Sequence, residues 1–107
     1  MPDEFLVKIL RYPIIVQQHD HLVSGEGQSI RGCFTHNDDG KDEFSIQSHY
    51  TEEEKFGTLL HEVLEFVNFH YDCFPGNDEQ SHGKLSLVAD IMTNFLLNHF
   101  DIELKEQ

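Results

Sequence analysis

The chain has 107 residues, with 20 Asp and Glu against 7 Lys and Arg, for a formal net charge of −13. Such a surface repels a phosphate backbone, which argues against direct nucleic-acid binding, and no apolar run reaches the roughly 20 residues of a membrane-crossing helix. Hydrophobic content is 38%, with nine Phe, enough for a modest core in a single domain spanning 1–107.

Met1-Pro2-Asp3-Glu4 is acidic where a secretory leader would be basic, so a cytoplasmic protein is expected. Cys33 and Cys73 lie far apart and form no Cys-x-x-Cys motif, so both are expected as free thiols. The acidic excess has two physical meanings. It keeps a small protein soluble, or it imitates a nucleic acid and docks on a basic groove of a partner.

Residues 5–18 are rich in β-branched and aromatic side chains interrupted by Pro13, which predicts a strand near 5–10, a turn around Arg11 to Pro13 and a second strand near 14–18. His19 and His21 alternate and would face one way on an extended chain, which is half of a metal site or simply a solvated loop end. Ser24-Gly25-Glu26-Gly27 is a loop. Gln28 to His36 reads as a third strand, Asn37 to Lys41 as a hairpin turn carrying Asp-Gly, and Glu43 to Ser48 as a fourth strand with Phe44 and Ile46 on one face. The acidic turn lacks the ligand spacing of a calcium loop.

Thr51 can cap a helix that runs to about Asp72, with Glu52, Glu53 and Glu54 at its positive end. Phe56, Leu59, Leu60, Val63, Leu64, Val67 and Tyr71 form its apolar face, where His70 is expected as a packed or boundary histidine. His61, Glu65, Asn68 and Asp72 fall on the other side. Phe74 to Asp78 forms a loop, a second amphipathic helix is expected from His82 to about Phe100, and residues 101–107 are expected as a frayed charged tail. The fold class is therefore α+β: a small antiparallel sheet of about four strands in two hairpins, followed by two packed helices.

The first helix carries His61-Glu62-x-x-Glu65. His61 and Glu65, four apart, stand one turn above each other and can take one zinc ion from the same side. Glu62 occupies the place where a zinc hydrolase keeps its general base. A solvated face carrying an ordinary surface pair has the same pattern, and a second layer over the stripe separates the two readings.

Thr51-Glu52-Glu53-Glu54-Lys55-Phe56-Gly57-Thr58-Leu59-Leu60-His61-Glu62, followed by Glu65 and by His82 before the last helix, resembles a group of small phage and prophage proteins related to the ImmA/IrrE-like zinc metallopeptidases. The resemblance spans roughly residues 28–98 and is specific around 51–68. It departs from the longer peptidases in having Glu65 where they carry a second His. It implies a zinc site of His61, Glu65 and His82, with Glu62 polarising a water for attack on a peptide carbonyl. Asn68 or Asp72 would orient a ligand or be solvated. It places the protein in the host-cell cytoplasm if phage-encoded. The competing expectation is a non-catalytic acidic phage protein that binds and inhibits a host defence or nucleic-acid-handling protein; a purely structural metal domain is the third.

Overall fold

In the computed structural model, which describes residues 1–105, strand β1 (Glu4–Ile9) turns into β2 (Tyr12–His19) through Leu10 and Arg11. Leu10 takes the left-handed conformation at φ 55°. The turn therefore comes earlier than Arg11 to Pro13, and Pro13 lies inside β2, opposite Lys8. Its missing N–H is tolerated there because β2 begins pairing on its other side only at Ile15. Strands β3 (Gly32–Thr35) and β4 (Glu43–Gln47) form the second hairpin, which brings Phe34 opposite Phe44. β3 is shorter than the expected run from Gln28 to His36; residues before it form a loop closed by a Val23–Ser29 bridge.

The sheet order is β1-β2-β4-β3, and β2 pairs parallel to β4. The two expected hairpins exist, but the sheet is mixed rather than wholly antiparallel. Alternation buries Ile14 and Val16 of β2 and Phe44 and Ile46 of β4 on one face. These are the two most apolar inward faces, and setting them side by side at the centre hides both from water, leaving β3 at the edge. Phe5 and Phe66 complete the fully packed cluster.

Helix α1 (Glu52–Tyr71) lies on this face. The Thr51 hydroxyl accepts from the Glu54 amide, three glutamates sit in the first turn, and Asp72 closes the helix at φ 51°. Phe66, absent from the expected apolar face, is its most deeply buried residue. Helix α2 (Asp78–His99) begins four residues before the expected His82. Asn77 and Gln80 form a capping box there, a signal stronger than the apolar period that starts later. α2 packs chiefly on α1 and buries Ser81, Leu85 and Ala89, whereas its apolar residues Leu87, Ile91 and Phe95 stay exposed.

Residues 101–105 of the expected tail continue past α2 without regular structure and are exposed, while 106 and 107 lie outside the described residues. Both cysteines are free. No helix among the described residues is long and apolar enough to cross a membrane.

Gly32 starts β3 where the strand touches α1. A Cβ there would sit 2.5 Å from Thr58 Cγ2, 3.0 Å from the Ser45 carbonyl and 3.2 Å from Glu62 Oε2. Gly32→Ala should therefore destabilise the fold by about 1–3 kcal/mol in urea denaturation. Adding Thr58→Ser, which removes the nearest methyl, should recover part of that loss.

Candidate metal centre

α2 is the second layer that decides how the polar stripe of α1 is used. Its position is set by Asn68, whose side-chain amide donates to Ser81 Oγ at 2.9 Å and whose carbonyl oxygen accepts from the Phe74 amide at 2.9 Å. One α1 side chain thus ties down both the connecting loop and the first turns of α2. At the other end Gly57 passes close to Thr93, where an added Cβ would lie 3.2 Å from Thr93 Cγ2. Held between these points, His82 in the second turn of α2 comes down over Glu65.

The three expected ligand residues therefore come together. His61 Nε2 lies 3.3 Å and His82 Nε2 3.6 Å from the same oxygen, Glu65 Oε1. The two imidazoles meet edge to face, 5.2 Å between centroids. Ligand atoms from all three side chains lie within 4.8 Å of one another, so the group could hold a metal ion. Ligands about 2.0–2.1 Å from a tetrahedral zinc stand about 3.3–3.4 Å apart, close to the two separations to Glu65. Two imidazoles and a carboxylate are also donors that zinc accepts.

The electrostatics favour a ligand-ready imidazole. Burial lowers the pKa of His61, and His82 beside it acts the same way, against the opposing pull of Glu65 and Asp90. A neutral ring is the form that binds a metal. Glu62, only 4% exposed, is buried with its carboxylate close to Gly32 of β3. Burial first, and then the charge of Glu65, push its carboxyl up to about 8.

His61, Glu62 and His82 share a cleft of about 490 Å³ whose walls include Arg31, Glu53, Glu54 and Asp90. Glu65 lies outside this cleft, on a neighbouring hollow with Asn68 and Ser81, so only the two imidazoles of the group face the open cleft.

Other expected positions fall elsewhere. His21 stands beside the ring of His49 at 6.1 Å, and neither His19 nor His21 belongs to a metal-capable group among the described residues. Asp72 is the exposed C-cap of α1. His70 does pack, with its ring 4.4 Å from Phe66 and stacked on Tyr12, but it also binds a partner that the sequence did not suggest. Its Nε2 lies 3.0 Å from Asp42 Oδ2, while His36 Nδ1 lies 2.7 Å from Asp42 Oδ1. Burial would raise the Asp42 carboxyl, but the hydrogen bonds to His70 and His36 outweigh it and hold the group below its ordinary value. A hairpin turn over 37–41 already sets His36 across from Asp42, one rung beyond Thr35 and Glu43. That signal was available; the arrival of His70 was not.

No family model matches the chain, and neither a curated protein nor a solved structure shows significant similarity to it.

Two outcomes follow for the metal-stripped protein. In the unfolded chain the Glu62 carboxyl titrates near its ordinary 4.5, whereas in the fold it titrates near 8. The folded state therefore holds a proton that the unfolded state has lost, and the stability this gives is full below about pH 4.5, declines as pH rises and is gone above about 8. Denaturation in EDTA at pH 5 and pH 8.5 should show wild type losing a few kcal/mol relative to Glu62→Gln across that window. Asn68→Ala should retain the fold but weaken zinc binding about 10–100-fold in a competition titration with a chromophoric chelator, because His82 loses its anchor.

Proposed function

We propose that the chain is a zincin-like metalloprotein in which His61, Glu65 and His82 hold a zinc ion at the edge of the cleft and Glu62 acts as general base in the hydrolysis of a peptide bond. The observation that carries this reading is the convergence of both Nε2 atoms on Glu65 Oε1, at 3.3 and 3.6 Å, beside an open cleft. The resemblance of residues 51–68 to the ImmA/IrrE-like group points the same way, with Glu65 as the variant ligand.

Zinc bound there supplies Lewis acidity toward a carbonyl oxygen and toward water. The chain's own groups do the rest. His61 and Glu65 are held by one rigid helix, and His82 by a second helix fastened through Asn68. Glu62 faces the same cleft from a water-poor wall, and beside a bound zinc ion its carboxyl would be drawn back toward the ionised form. In that form the carboxylate takes a proton from the attacking water and delivers it to the leaving nitrogen. The acidic residues Glu53, Glu54 and Asp90 around the cleft favour a peptide with basic side chains.

Zinc content by elemental analysis, together with cleavage of a mixed basic-peptide library, tests the proposal. Wild type should carry zinc at this centre, and His61→Ala and His82→Ala should each lose one equivalent per chain. Glu62→Gln should keep the metal and lose about 10²–10⁴-fold in cleavage rate. A wild type that takes up no metal at saturating zinc would overturn the reading and leave the acidic surface as the feature to explain. Bound zinc with no cleavage would overturn the catalytic part alone.

A further inference from the structure

Asp42 is 6% exposed, and its ion pairs among the described residues are with His36 and His70, side chains that carry charge only when protonated. A buried carboxylate normally has a fixed cation or a metal as its counter-charge. Here it has one imidazole nitrogen on each oxygen, at 2.7 and 3.0 Å.

His36 follows β3, Asp42 precedes β4 and His70 stands in the last turn of α1, so only the folded chain assembles all three. Ligand atoms from all three lie within 4.8 Å of one another. The imidazole rings stand nearly perpendicular, 78° between planes and 5.6 Å between centroids, so their nitrogens approach the carboxylate from different directions. Phe34, Phe66 and Phe69 pack around His70, and Phe69 also lies against His36. The side chains of His36 and His70 keep 38% and 27% of their exposure, which leaves a way in for an ion.

We propose that His36 Nδ1, Asp42 and His70 Nε2 form a second divalent-metal site, separate from the first and tying the β3–β4 turn to the end of α1. His70 follows His61 by nine positions, which at 100° per residue is about 180° around the helix. α1 thus carries one metal-capable group on its α2 side and another on its sheet side. Two imidazoles and one carboxylate select a first-row transition ion such as zinc over calcium or magnesium, which prefer all-oxygen sites. The partial negative charge at the helix C-terminus, where His70 stands, also favours a cation.

The test is zinc stoichiometry on the full chain, stripped with EDTA, reloaded with zinc sulfate and dialysed. His61→Ala, which removes the first centre, should still bind one zinc per chain. Adding His36→Gln or His70→Gln to that background should abolish it. His36→Gln lies at a half-exposed position outside the core and is the variant least disturbing to the fold. On zinc titration of the His61→Ala protein, the ring-proton signals of His36 and His70 should shift together in two-dimensional NMR. The same protein should bind magnesium no more than one-hundredth as tightly. A His61→Ala protein that binds no zinc, or one whose zinc survives both His36→Gln and His70→Gln, would overturn the second site. A wild-type zinc that persists in His61→Ala and disappears in His36→Gln would overturn the first centre while upholding this one.

Discussion

Asn68 is the joint on which the candidate centre depends. Its two hydrogen bonds, to Ser81 Oγ and from the Phe74 amide, fix how α2 returns along α1. Without α2 in that place, His61 and Glu65 would be an ordinary i,i+4 pair on a wet helix face, worth a few tenths of a kcal/mol. With it, a second imidazole closes on Glu65 and the stripe becomes a three-donor pocket. Ser81 and Ala89 are small, and Gly57 meets Thr93 closely, so the helices approach near enough for short side chains to converge.

Glu62 shows the opposite economy. A carboxyl buried against β3 is expensive to ionise, and the missing side chain at Gly32 is what lets the strand come so near. The edge strand, the glycine and the buried acid therefore stand together, and the carboxyl in this water-poor wall of the cleft keeps its proton up to about pH 8. Asp42 is buried as well, yet its carboxyl is lowered, because two imidazoles bind it. Two buried acids are thus pushed in opposite directions, Glu62 up by burial and the charge of Glu65, and Asp42, despite its burial, down by the hydrogen bonds from His70 and His36.

Local chemistry explains what could be read without coordinates. The Asn37–Lys41 turn, the Thr51 cap and the alternation of Phe44 with Ile46 each depend on neighbours a few residues away, and each element formed where those signals stood. The start of α2 was misplaced because the apolar period begins later than the Asn77–Gln80 box, and the box is the stronger boundary. Phe66 lies one heptad from Leu59, about 20° around the helix, on the edge of the apolar arc that the sheet covers, so the docking angle of α1 on the sheet decides its burial.

The amino-acid order alone determined four strands, two helices and the stacking of His61 on Glu65, since each follows from the repeat of one element. Tertiary structure alone decided that β2 and β4 run parallel, because alternation buries the same face in either direction. It also decided that His82 covers Glu65 and that His70 reaches Asp42, 28 residues away in the chain. Those contacts join residues whose separation carries no period, and only the docking of α1 between sheet and second helix brings them within reach.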